Sequence, residues 1–280
     1  MGWHELPLVV FTVLAQCAVG AFILLGALML SGRLEGATLR RLNRPMLIIW
    51  VLMGVAFAAS TLHLGSPLRA PNALLRLGGS WLSNEIFFGS LFFALGGLFW
   101  LLTLLDKGTP LLRMVLLGIA MLFGIAFMYA TIRVYMIPTV PTWNTPFTPL
   151  GFFLTSVIGG ALLAQLLLSL SDQGHRLLAR LLPWLGALAL AVALGSSVAH
   201  AMSLAGIQSA IQSAVDLIPH YQSLLLIRLT LLATVLALWL FALRSQRHQT
   251  LMLSLSFVVV LAAEMLGRNL FYNLYMTVGL

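Results

Sequence analysis

Charge is what this sequence has least of. Of its 280 residues only 8% are charged, 15 Lys or Arg against 7 Asp or Glu, while 61% are hydrophobic. A water-soluble domain carries about a quarter charged residues, so a soluble globular fold is excluded and an integral membrane protein is indicated. Cysteine is nearly absent: Cys17 is the single one and lies inside an apolar run. That excludes a disulfide framework and a Cys-held metal or iron–sulfur site, and leaves a buried structural thiol. No block of basic residues of the kind that binds nucleic acid occurs either. The formal charge of +8 is scattered among short connections between apolar runs, which is a topology signal. No Lys or Arg precedes Arg33, and the run from Leu6 to Leu30 is too long for a signal-peptide core, so it is read as a span. Walker A, HExxH and nucleophile motifs are missing as well.

What is there is a series of long apolar runs. A bilayer core takes ~20 apolar helical residues. On that criterion eight spans are predicted, at about 6–30, 45–64, 84–105, 112–135, 149–170, 182–204, 222–243 and 251–272. None has the polar residue at every second position that a membrane β-strand needs, so the β-barrel is excluded. The fold class is all-α: one transmembrane bundle of eight helices over residues 1–280, with no soluble domain. Pro45 and Pro149 suit first helical positions, with Thr148 as a cap. Small residues such as Gly89, Gly96, Gly159 and Gly160 would let neighbouring helices approach closely.

Ten of the 15 basic residues fall in the connections after spans 1, 3, 5 and 7. By the positive-inside rule those connections are cytoplasmic, so both termini and the turn between His63 and Glu85 are expected on the outer side. That side also collects His4, Arg69, Asn84, Arg133, Tyr135, His200, Glu264 and Arg268. Ionisable residues within spans are costly and often functional. Their gathering at one face disfavours a transporter, which needs them near the midplane. Residues 136–148, with three prolines, form a stiff, weakly charged outer loop suited to docking a rigid partner.

Oxidising a lipid-borne quinol requires an apolar slot, a proton acceptor and a nearby electron acceptor. A histidine, with an unperturbed pKa of ~6.5, is apt for the proton. His63 closes span 2 and fits that role; it equally fits a cation at a helix C-terminus, with Gly65 as left-handed cap and Pro67 after it. Glu85 opens span 3 and is read either as a proton relay or quinol ligand, or as a first-turn acid following a Ser83 or Asn84 cap. Arg133 is expected to pair with Glu85 or Glu264, or to contact ligand; Glu264 and Arg268, four apart on one helix, are expected to pair with each other. His200 lies at about the depth of His63, and facing histidines there would be the one route to axial haem ligation.

Several segments, in order, resemble a known family. They are Gly2-Trp3-His4-Glu5-Leu6-Pro7-Leu8, His63-Leu64-Gly65-Ser66-Pro67 with Arg69 and Asn72, and Leu82-Ser83-Asn84-Glu85-Ile86. Further on come Arg133 and Tyr135 with Thr139 to Trp143, Pro149 to Phe153, and Gly267-Arg268 with Phe271-Tyr272. Together they are similar to the membrane anchor subunit of bacterial dimethyl sulfoxide reductase. The resemblance implies a subunit of the inner membrane, with periplasmic termini, that binds menaquinol and releases its protons. It passes electrons to an iron–sulfur subunit that feeds a molybdopterin catalytic subunit. It also implies an anchor without haem, iron–sulfur cluster or metal of its own. The quinol-site histidine of the family falls on His63 and its glutamate on Glu85, with Ser66, Arg69, Asn84, Arg133 and Tyr135 in supporting places. A purely structural anchor, a haem-containing anchor and, more remotely, a transporter are the alternatives.

Overall fold

The computed structural model of the chain describes residues 5–32, 36–63, 67–171, 176–208 and 213–277. Among these residues the helices are α1 (Leu6–Leu30), α2 (Gly36–Asn43), α3 (Leu47–His63), α4 (Trp81–Leu104), α5 (Pro110–Tyr135), α6 (Phe147–Leu170), α7 (Arg176–Leu204), α8 (Tyr221–Arg244) and α9 (Gln249–Asn273). Eight candidate spans result, α2 running into α3 to make one of them, Leu39–Leu62. A helix of 24 residues such as α4 rises ~36 Å, enough for a hydrocarbon core of ~30 Å.

Apolar length sets the number of spans; the ends differ where local chemistry decides. Pro45 does not begin a helix. It sits in a turn at residues 44–46, and α3 starts at Leu47. Asn43 and Trp100 tie the break down reciprocally: Asn43 Nδ2 donates to the Trp100 carbonyl at 3.0 Å, and Trp100 Nε1 to the Asn43 carbonyl at 2.7 Å. The fourth helix begins at Trp81, earlier than expected, with Ser80 extended at its N-cap. The sixth begins at Phe147, so Pro149 is its third residue. Thr148 is not a cap; its hydroxyl donates to the Trp143 carbonyl at 2.5 Å. The connection after α3 winds into a 3₁₀ helix, Pro67–Arg76.

Two helices, α1 and α6, make the centre and are buried along most of their length. On one side α3 and α5 pack on α1, with α4 lying along α5; on the other, α7 and α9 pack on α6, α8 lies along α9, and α9 also touches α1. The central pair is close because glycine lines it. A Cβ on Gly160 would sit 2.6 Å from the Gly20 carbonyl carbon, one on Gly20 would strike the Ser156 carbonyl oxygen, and one on Gly159 would strike the Cys17 sulfur. Cys17 is therefore the buried structural thiol expected of it. Around α1, Phe22, Trp50 and Phe92 form an aromatic knot with centroids 5.3–5.7 Å apart. Large apolar side chains such as Leu122, Leu188, Leu226 and Val258 point outwards and are exposed, as a lipid surrounding demands.

Gly160→Ala is expected to cost ~1–3 kcal/mol, the usual penalty of overpacking, because backbone and not a flexible side chain blocks the new methyl. A lowered thermal midpoint of the solubilised protein is the readout. Gly118→Ala, with nothing within 4 Å of the added carbon, should leave it unchanged.

Candidate functional site

The buried ionisable residues of the spans, Glu85, Glu264 and Arg268, lie in that half of the bundle's depth where α3 finishes and α4 begins. Glu85 is in the second turn of α4, because that helix starts at Trp81. It is 2% exposed and accepts a hydrogen bond from the Thr131 hydroxyl of α5 at 2.7 Å. The reading of Glu85 as a first-turn acid behind a Ser83 or Asn84 cap is therefore overturned. Asn84 instead accepts from the Gly78 N–H at 2.8 Å, pinning the incoming connection to α4. Gly78 has φ of 79°, a left-handed conformation suited to glycine.

Arg133 does not pair with either glutamate. Its side chain is exposed, and the guanidinium lies 5.1 Å above the centre of the Trp81 ring. The side chain reaches back along the surface of α5 towards the start of α4, whereas the Glu85 carboxylate turns inwards to Thr131. His63 is the last residue of α3, as expected. Ser66 and the side chains of His63 and Arg69 lie outside the described residues.

From Glu85 a seam of polar side chains runs through the bundle, each one helical turn from the next on the same helix or hydrogen-bonded across. Tyr135 follows Thr131 on α5, and the Tyr272 hydroxyl of α9 lies 2.9 Å from that of Tyr135 and 3.4 Å from that of Thr12 on α1. Gln16 follows Thr12, and Arg268 precedes Tyr272. The Arg268 guanidinium donates to Gln16 Oε1 at 2.9 Å and lies 3.4 Å from Thr155 Oγ1 of α6. It rests on the face of Phe152, 3.4 Å from the ring centre. Aromatic faces and neutral oxygens thus stand in for the counter-charge that a guanidinium usually takes.

Glu264 does not pair with Arg268. Thr155 donates to Glu264 Oε2 at 2.6 Å, and the same oxygen lies 3.7 Å from Arg228 of α8. Arg228 in turn donates to Ser197 Oγ of α7 at 3.1 Å. It passes where a Cβ on Gly267 would strike it, so the glycine admits it. His200 of α7 stacks on Phe147 of α6, with centroids 5.0 Å apart and planes at 23°.

Thr12, Gln16, Thr131, Thr155 and Ser197 are the members of this arrangement that sequence reasoning passes over. A lone neutral polar residue in an apolar run is common. Only Gln16, a long amide at the middle of α1, stands out as a residue needing a partner.

A helical bundle of eight candidate spans, with ionisable side chains buried among them, defines an integral membrane protein. The family model of the DMSO reductase anchor subunit (DmsC) matches residues 1–274. The C subunit of the anaerobic dimethyl sulfoxide reductase of Escherichia coli (strain K12) is 48% identical, the alignment spanning 100% of this sequence and 98% of that one. The YnfH subunit of the same organism, also named for anaerobic dimethyl sulfoxide reductase, is 44% identical. The corresponding C subunit of Haemophilus influenzae (strain ATCC 51907 / DSM 11121 / KW20 / Rd) is 41% identical. Both alignments span 100% of this sequence and 98% of the relative. The protein belongs to the DMSO reductase anchor subunit family.

The seam makes a stability prediction. Arg268→Ala should destabilise by ~1.5–3 kcal/mol, the usual worth of hydrogen bonds made by a charged group. Tyr272→Phe, which removes one hydroxyl contact, should cost only ~0.5–1.5 kcal/mol. Chemical or thermal unfolding of the solubilised protein ranks the two; an equal effect would mean that Arg268 acts through its aliphatic packing alone.

Proposed function

We propose that this membrane anchor binds menaquinol at the His63 end of the bundle, takes its protons there and hands its electrons to an iron–sulfur subunit, which feeds a molybdopterin catalytic subunit. The observation that carries this reading is the family match over nearly the whole sequence. The placing of the site rests on His63 ending α3 and on Glu85 lying buried in α4, the next helix along. His63 is the proton acceptor and Glu85 the relay or quinol hydrogen-bonding group. Asn84 steadies the connection between them through Gly78. Ser66 and Arg69 flank the quinol, while Arg133 and Tyr135 support it from α5. No haem, iron–sulfur cluster or metal takes part within this subunit.

The same reading puts both termini and the His63 end on the periplasmic side of the inner membrane, with the arginine-rich connections in the cytoplasm. The partner subunits then dock on the periplasmic face. Protons and electrons leave on one side, no charge crosses the bilayer, and turnover is electroneutral. Reporter fusions after Ser31 and after Gly78 test this: the first should report cytoplasmic and the second periplasmic, and one shared location would reject the topology.

His63→Ala should lower quinol-dependent reduction by ~10²–10⁴, the usual loss on removing one acid–base group. Artificial donors that reduce the soluble subunits directly should still support turnover. Quinol oxidation near the unaltered rate would leave His63 as a helix cap and this subunit as a structural anchor. A reduced-minus-oxidised spectrum of the purified protein should lack b-type bands; bands abolished by His200→Ala would instead make it a haem-bearing anchor.

A further inference from the structure

Glu264, Arg228 and His200 take no part in the reading above, yet they line a cavity of about 70 Å³ between α6, α7, α8 and α9. A side pocket of about 50 Å³ shares the Phe147, Ser197, His200 and Arg228 walls and extends along α6 and α7 past Gly151, Leu154 and Ala193. Arg228 is seven residues into α8, and Glu264 nine from the end of α9, which puts the cavity ~10–14 Å below the helix ends. It is thus within the bilayer, in the half of the bundle away from Glu85.

Three independent features make this a built site. The first is charge: among the described lining residues, two guanidiniums, Arg228 and Arg268, face one carboxylate, Glu264. A net positive charge buried in a span calls for an electron-rich partner. The second is unmet hydrogen bonding. Glu264 Oε1, Arg228 Nε, Arg268 Nε and His200 Nε2 are buried without a partner, and Glu264 and Arg268 are only 4% and 6% exposed. Such groups are normally satisfied, by ligand or by water. The third is shape. Phe147, Phe152, Phe271 and Tyr221 supply flat apolar walls around the polar atoms.

A soluble anion meets the first two features but gains nothing from aromatic walls or from a groove running past Leu154 and Ala193. A flat ring with oxygens at its edge and an apolar tail meets all three. We propose that this cavity takes the head group of a second quinone or quinol. One oxygen accepts from Arg228 and, in the quinol, its hydroxyl donates to Glu264; the ring lies on Phe147, and the tail follows the groove between α6 and α7. His200 occupies the Phe147 face in this structure. When it turns aside, the cavity and the side pocket join, and its Nε2 is free for the second oxygen. The proposal rests on the quinol reading of the family but places a site apart from His63 and Glu85.

Photolabelling of the intact complex in lipid vesicles with an azido-naphthoquinone, followed by mass-spectrometric mapping, tests it. Label is expected on peptides of α6–α9 that line the cavity. Excess unlabelled naphthoquinone should suppress it, and His63→Ala should not. Arg228→Gln, which takes the cationic donor away from the ring oxygen, should raise the probe concentration needed for half-maximal labelling by roughly tenfold, as for loss of one charge-assisted hydrogen bond. Ser196→Leu, which blocks the side pocket and leaves the charged cluster whole, should do likewise if Arg228→Gln fails to assemble. Label confined to α3 and α4 would overturn the second site and leave the first standing, the cavity then holding ordered water alone. Label on α6–α9 only would keep this site and reject the one at His63. Label that no competitor displaces, or none on either half, would overturn both.

Discussion

The close approach of α1 to α6 is the constraint on which the remainder of the bundle depends. Lipid is as apolar as leucine, so helices in a membrane gain little from burying apolar faces and rely on packing and on polar contacts between them. Gly20 on one helix and Gly159 and Gly160 on the other remove the side chains that would hold the backbones apart. Thr12 and Gln16 lie on α1 two turns and one turn before Gly20, and Thr155 lies on α6 one turn before Gly159. The glycine contact thus sets how near those polar groups come to one another. Arg268 of α9 then reaches both Gln16 and Thr155. A larger residue at the glycines would open that gap and leave a guanidinium in the bilayer without its acceptors.

The polar seam is also what joins the two halves. Tyr272 and Arg268 lie on α9, yet their partners are on α1, α5 and α6. Each such bond is worth little by itself, because the separated helices would find other partners in the membrane. Their effect is geometric: they fix rotation and depth where apolar packing alone tolerates slippage. Arg268 illustrates this, held flat on Phe152 and bonded on both flanks. Its orientation leaves its Nε towards the cavity without a partner.

Much of the fold is legible in the sequence because span length is a one-dimensional property, set by how many apolar residues cross a fixed thickness. The ends are less so. Trp81 and Leu82 are apolar but precede Ser83, and a polar residue looks like a boundary unless the extended Ser80 is known to come first. The pairing of side chains is least legible. Spacing of four suggests a Glu264–Arg268 pair, but Thr155 from another helix stands between them, donating to the glutamate and accepting from the arginine. Arg133 reads as buried because its neighbours in sequence are apolar, whereas the rotation of α5 puts it on the surface over Trp81. Helix rotation is decided by contacts far apart in the sequence, and a run with apolar residues on every face carries no moment from which to read it.

The two buried glutamates show how similar local chemistry is turned to different ends. Each accepts a hydrogen bond from a threonine on a neighbouring helix, Glu85 from Thr131 at 2.7 Å and Glu264 from Thr155 at 2.6 Å. Beyond that they diverge. Glu264 has Arg228 at 3.7 Å on the oxygen that Thr155 holds, a partner that can donate but not accept. Glu85 has a hydroxyl, which donates to a carboxylate and accepts from a carboxylic acid with equal ease. Thr131 can therefore keep Glu85 bonded in either state, so a proton can be taken up and given back without leaving a buried group unsatisfied. That tolerance suits a residue proposed to relay protons, and Glu264, beside the Arg228 cation, suits one that accepts from a ligand's hydroxyl instead.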